Sequence, residues 1–311
     1  MAFLRIVVLS LVVALAAPAV AGARTAVRVG IGDQHVAMFD QPSFTALKLR
    51  RARYFISWDA IRRPAELAAA DAYVDRARRA HVSVLLHIST NDISGRRGKL
   101  PSTMAYQRYV GRLVRHFRPR GVHDWGVWNE ANHRSQPTWR SPRQAARYYR
   151  VMRRICRGCA IVALDVLDQR GVARYIRRWY RSLSRSLRSR ARLVGIHNYS
   201  DTNRFRSRGT RSIIRTTRRY NRHARFWMTE TGGVVNFGRS FPCSPRRAAK
   251  AVSYMFRLAR SYRRYVKRLY AYNWTGAGCR GTAFDAGLTA PDGSRRQGYF
   301  VFKRRLAGFL R

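Results

Sequence analysis

The sequence predicts an α/β chain folded as a (β/α)8 TIM barrel, and three observations predict it. Eight short runs rich in β-branched and aromatic residues recur along the 311 residues, and such runs read as buried strands. Amphipathic, arginine-rich segments of helical period lie between them. Length and unit count match a barrel of eight βα units. A doubly wound open sheet is the alternative. It usually carries a Gly-rich phosphate turn after its first strand, and GIGDQH at 30–35 is not GxGxxG.

The chain begins MAFLRIVVLSLVVALAAPAVAGA (1–23). Arg5 gives a positive start, residues 6–17 are apolar but too short for a comfortable membrane span, and Ala21-Gly22-Ala23 fits a small-x-small cleavage site. This reads as a secretory signal peptide that leaves 24–311 as one barrel domain, extracellular and without stable membrane insertion; an uncleaved anchor is the alternative. The expected strands are 26–33, 52–58, 82–89, 123–130, 160–168, 193–200, 225–232 and 268–276. Helices are expected at 64–80, 109–120, 141–155, 174–192 and 244–265, with 201–222 the weakest. Two of them open with Ser-Pro, at Ser141 and Ser244, where Ser can cap and Pro suits the first turn.

Export permits disulfides. Cys156, Cys159, Cys243 and Cys279 allow three pairings, and the local one, Cys156–Cys159 with Cys243–Cys279, is expected. A zinc reading of the C-x-x-C would want a second ligand pair at suitable spacing, which the sequence lacks, and no metal or cofactor is expected. The formal net charge is +48, and 58 of the 63 basic residues are Arg. Most fall on what would be solvent faces of helices. The field attracts anions without specificity, and no zinc-finger, RNP or helix-turn-helix pattern marks a dedicated nucleic-acid reader.

A barrel carries its active site at the C-terminal strand ends. The fourth run ends in Asn129-Glu130, the seventh in Thr229-Glu230-Thr231-Gly232. His197 and Tyr199 sit two apart on the sixth, Asn273-Trp274 on the eighth, Arg53 and Trp58 on the second. The chain has only three glutamates, Glu66, Glu130 and Glu230, and two of them end strands. Two carboxylates across a pocket suit glycosidic bond cleavage: one protonates the leaving oxygen, the other attacks or stabilises the anomeric carbon.

These residues carry a family resemblance. WNEAN (128–132) resembles the W-N-E-P-N segment of the clan of retaining TIM-barrel glycoside hydrolases, of the type of families 5 and 39. MTETGG (228–233) resembles the clan's T-E-x-G segment, and the tail 283–306 looks like its closing segment. The resemblance covers nearly the whole mature chain. It implies Glu130 as acid/base, Glu230 as nucleophile, and Asn129 on the sugar 2-hydroxyl. Tyr199 and Arg53 would hold Glu230 ionised, His197 would line the pocket near the acid, and Trp274 would form an apolar sugar platform. Ala131 departs from the clan's Pro, which relaxes the turn after the acid without removing a reacting group.

Other residues have both structural and functional readings: Trp125, Trp128, Trp139, His87, Asp33, Gln34, Asp165 and Asp168. Asp285 and Asp292 look like turn residues. The expected function is a secreted retaining glycosidase, monomeric, acting on an oligo- or polysaccharide. The rivals are a catalytically weak carbohydrate-binding barrel and a basic binder of nucleic acid or other anionic polymers. A retaining pair should hold its carboxyls about 5–5.5 Å apart.

Overall fold

The structure is a computed structural model, and it describes residues 25–90, 98–279, 281 and 283–311. The expected leader at 1–23 lies outside the described residues. Nine parallel strands make the barrel: β1 (Thr25–Gly32), β2 (Arg51–Ser57), β3 (Ser83–Ser89), β4 (Asp124–Gly126), β5 (Ala160–Val162), β6 (Leu164–Leu167), β7 (Leu193–His197), β8 (Arg225–Thr231) and β9 (Val266–Tyr272). Their order is β5-β4-β3-β2-β1-β9-β8-β7-β6. β5 and β6 are two halves of the fifth expected strand, parted at Ala163, whose N–H turns to Leu193 O at 2.8 Å. The ring therefore has eight staves. A short β10 (Phe309–Leu310) pairs with β1 outside this order.

Parallel barrel strands are covered on both faces, so they read as continuous apolar runs rather than alternating ones. β3, SVLLHIS, is buried at every position after Ser83. Helices α1 (Pro42–Thr45), α2 (Pro64–Arg79), α3 (Thr103–Phe117), α4 (Pro142–Ile155), α5 (Val172–Arg181), α6 (Arg185–Arg190), α7 (Tyr199–Asn203), α8 (Arg208–Tyr220), α9 (Pro245–Ser261) and α10 (Gln297–Leu306) form the outer layer. α4 shows why an arginine-rich segment folds here: Ala145, Ala146, Tyr148, Tyr149, Val151 and Met152 are buried, while Arg143, Arg147, Arg150 and Arg154 face outward. Its Tyr148 stacks on Tyr106 of α3 at 4.2 Å between centroids.

Several expected boundaries shift. The helix expected over 174–192 breaks into α5 and α6, because Ser184 accepts the Leu187 N–H and starts a new turn. The weak region 201–222 holds α7 and α8. Ser244 caps α9 through the Arg247 N–H, whereas Ser141 makes no side-chain cap on α4. Both local disulfides form, with Cα atoms 5.6 Å apart for Cys156–Cys159 and 5.4 Å for Cys243–Cys279. Among the described residues, no helix is long and apolar enough to cross a membrane.

Candidate active site

The C-terminal ends of the strands surround a cleft of about 850 Å³ that Asn129, Glu130, Tyr199, Glu230 and Tyr272 help to line. β8 carries Glu230 where its register against both β7 and β9 shifts, between Trp227 and Glu230 on one side and Met228 and Thr231 on the other. Glu130 is placed differently from the expectation, because β4 stops at Gly126. Beyond it the chain stays in register through three backbone bonds: Val127 N–H to Val162 O at 3.1 Å, Asn129 N–H to Ile88 O at 2.7 Å and Ala131 N–H to Asp165 O at 2.9 Å. Glu130 itself has φ 43°, a left-handed conformation uncommon outside glycine and often found at functional sites.

Arg53, 1% exposed, reaches up from β2. Its Nη1 donates to Glu230 Oε2 at 2.7 Å, its Nη2 to Asn129 Oδ1 at 2.5 Å, and its Nε to His87 Nδ1 at 3.4 Å. One guanidinium thus orients two of the site's side chains. The Tyr199 hydroxyl donates to the other oxygen, Glu230 Oε1, at 3.0 Å. Tyr199 does this from the first residue of α7, not from the strand as the sequence suggested.

His197 is the hinge of the site. Its Nδ1 lies 3.1 Å from Glu130 Oε1 and 3.6 Å from Glu230 Oε2, and its Nε2 lies 3.1 Å from Asp165 Oδ2. Asp165, fully buried on β6, also meets His87 Nε2 at 3.0 Å and accepts from Thr229 Oγ1 at 3.1 Å. Burial alone would discharge His197. The carboxylates of Asp165 and Glu230 and the bond to Glu130 outweigh it and raise the imidazole to about 10. Burial likewise pushes Asp165 up, but the charges and hydrogen bonds of His197 and His87 pull it far below the usual carboxylate range. Burial pushes Glu130 up too, and the hydrogen bond and charge of His197 overcome that and bring it below its ordinary value. His87, desolvated, falls to about 4 despite Asp165.

One donor atom each from Glu130, His197 and Glu230 lie within 4.8 Å of one another. That spacing could also hold a cation. Arg53 at 2.7 Å from Glu230 already supplies a fixed positive charge there, and the raised imidazole supplies another, so the two carboxylates have compensating charge within the protein itself.

Trp274 requires a correction. It is fully buried, donates from Nε1 to Gln41 Oε1 at 2.7 Å, and sits edge-on to Phe44 and Tyr299. No face of it is open to a sugar. β9 ends at Tyr272, so the chain has turned away before it reaches Trp274. Tyr272, Phe237, Phe241 and Phe284 provide the aromatic wall instead. Tyr272 precedes Trp274 by two residues on the same run, which was the available signal. The three phenylalanines come from loops with no sequence signal.

The other candidates resolve into structure. Trp125 and Trp128 are core. Trp139 is partly exposed beneath Arg140, its ring 4.3 Å from the guanidinium carbon. Asp33 accepts backbone N–H groups of His35 and Thr275, and Gln34 brackets the Phe55 backbone. Asp285 pairs with Arg296, and Asp292 closes a turn onto Ser294. Asp168 borders the cleft.

No protein-family model matches the chain, and no curated protein matches it. Among solved structures it is similar to GH5_18 from Streptomyces cattleya in complex with GlcNAc, with TM-score 0.63 and 16% identity over 92% of this chain and 80% of that one. A GH10 xylanase of Thermobacillus composti gives 0.62 and 12%, over 90% and 97%. A glucosidase from Croceicoccus marinus gives 0.63 and 14%, over 91% and 66%. At such identities the likeness speaks for the fold, and this chain is a (β/α)8 barrel.

Proposed function

We propose that the chain is a retaining glycoside hydrolase acting on O-glycosidic bonds, exported through its leader and stapled by its two disulfides. The observation that carries the reading is the pairing of Glu130 and Glu230, facing one another across His197 with donor atoms within 4.8 Å. This favours retention, since inverting pairs stand roughly 6.5–9.5 Å apart. That similar solved structures include a xylanase and a glucosidase supports the substrate class.

In the first step a Glu230 oxygen bonds to the anomeric carbon as the glycosidic bond breaks, and Glu130 gives its proton to the leaving oxygen. In the second, Glu130 takes a proton from water, whose oxygen displaces Glu230. Arg53 and Tyr199 aim Glu230 through hydrogen bonds to its two oxygens, and Arg53 also fixes Asn129 for the sugar 2-hydroxyl. Glu130 rests ionised beside a protonated His197. The acid form arises when the proton on Nδ1 crosses the 3.1 Å hydrogen bond to Oε1. A sugar that displaces water from Glu130 favours that transfer, because it removes the solvation of the carboxylate.

The test is turnover of aryl β-glycosides and polysaccharides by the mature chain beside Glu230→Ala, with NMR of the first anomer released. Wild-type turnover with retained configuration, lost in the variant, is expected. Turnover that survives in Glu230→Ala, or an inverted first product, would sink the assignment.

A further inference from the structure

A second cavity of about 540 Å³ adjoins the cleft, and the two share Asp168, Gln169, Arg170 and Arg206 as lining. Arg174, Arg177 and Arg208 also line this cavity, and Asp168 is its one acidic lining residue. Asp168 does little to neutralise them. Its oxygens accept the backbone N–H groups of Ser200 at 3.1 Å and Asp201 at 2.6 Å, and burial raises its carboxyl to about 8. Arg206 is tethered to Ser200 Oγ at 2.7 Å and stands 3.6 Å from Asp201. Among the described residues, no carboxylate pairs with Arg170, Arg174, Arg177 or Arg208. Arginine-lined hollows occur elsewhere on this basic chain; Arg108, Arg112 and Arg115 of α3 line one of about 410 Å³. The cavity beside Asp168 differs in sharing four lining residues with the cleft that holds Glu130 and Glu230.

We propose that the arginine-lined cavity binds the anionic substituent, a carboxylate or a sulfate ester, of a glycan whose neighbouring unit occupies the catalytic cleft. This rests on the glycoside hydrolase reading and names its substrate class. Guanidinium forks match both oxyanions in planar, charge-assisted hydrogen bonds. A neutral glycan would leave these charges crowded together. The site thus reads charge two ways, with cations holding the chain and a carboxylate pair breaking it.

The test is calorimetric binding in a Glu230→Gln background, which removes turnover. The probes are hyaluronan oligosaccharides, which carry carboxylates alone, heparin oligosaccharides, which add sulfates, and neutral cello-oligosaccharides of equal length. Arg174→Ser/Arg177→Ser/Arg208→Ser removes three charges from side chains that line only the second cavity and, among the described residues, pair with no carboxylate. Arg108→Ser/Arg112→Ser/Arg115→Ser removes the same charge from α3. The first triple is expected to weaken an anionic probe by about tenfold or more, the second by less than twofold, with neutral binding unaffected by either. Loss with heparin alone assigns sulfate; loss with hyaluronan as well assigns carboxylate. Equal losses from both triples, no loss from either, or no anionic binding by the parent would overturn the proposal. Wild-type turnover of neutral glycosides bears on the hydrolase reading alone, so the two readings fail separately.

Discussion

Arg53 divides one guanidinium among Glu230, Asn129 and His87 while 1% exposed. Lysine has neither the fork nor the reach to replace it. Arg53→Lys is therefore expected to lower kcat by roughly 10²–10³, the range for losing one preorganised donor, and Arg53→Met to destabilise the fold by about 3–5 kcal/mol, because it strands buried charge. Steady-state kinetics and denaturant unfolding check the two. Asp165 acts through His197. Asp165→Asn should lower the imidazole from about 10, seen as a downfield-to-upfield shift of its NMR titration and a moved limb of the pH–rate profile. An unchanged titration would remove Asp165 from the positioning role. Glu130, Glu230, Asn129, His197 and Tyr199, which the structure gathers with Arg53 at one cleft, were legible because polar residues at or near the ends of apolar runs are conspicuous; Arg53 stood out instead as a charge inside a run. Trp274 misled because a strand's last residue is set by its neighbours' hydrogen bonds, which sequence does not show. Asp165 was visible as an acid in a strand, but not as the partner of two histidines.

At the scale of elements, two glycines make room for this site. A Cβ on Gly126 of β4 would overlap the His87 ring, and one on Gly195 of β7 would lie 2.7 Å from both the Asp165 carboxylate and Thr229 Oγ1. Gly195→Ala is expected to cost about 1–3 kcal/mol through overpacking and to lower activity by displacing Asp165. A thermal melt and an assay on the same sample would show the two losses together; full activity with normal stability would contradict it. All eight strand runs were readable from periodicity, since parallel strands buried on both faces leave long apolar words. What periodicity missed were interruptions: the early end of β4, the break at Ala163 and the split between α5 and α6. The break at Ala163 and the split at Ser184 each turn on one backbone or cap hydrogen bond, and the stretch after β4 on three, which leaves little imprint on composition.

Across the whole molecule, the charge of +48 works against compaction. Raising salt from about 10 to about 200 mM should shorten the screening length several-fold and raise Tm; a Tm that falls or stays constant would mean the charges are already compensated. The buried titrations add a pH dependence. Asp165, depressed, contributes stability above its unfolded pKa of about 3.9 and loses it as pH falls. His197, raised to about 10, contributes fully below about 6.5 and loses this as pH rises through 10. Asp168, raised to about 8, grows less favourable as pH climbs towards that value. Tm is therefore expected to decline from about pH 6 to pH 10, and a flat calorimetric profile over that range would contradict a protonated His197.

The Cys243–Cys279 bridge joins the segment after β8 to the segment after β9, the same two segments that carry Phe237, Phe241 and Phe284. The barrel beneath is built on a backbone ladder in which neither cysteine takes part. A chain kept reduced would then still assemble its staves, yet present a slack aromatic wall at the cleft. Folding and competence would become separate events, with the oxidising power of the surroundings deciding when the second follows the first.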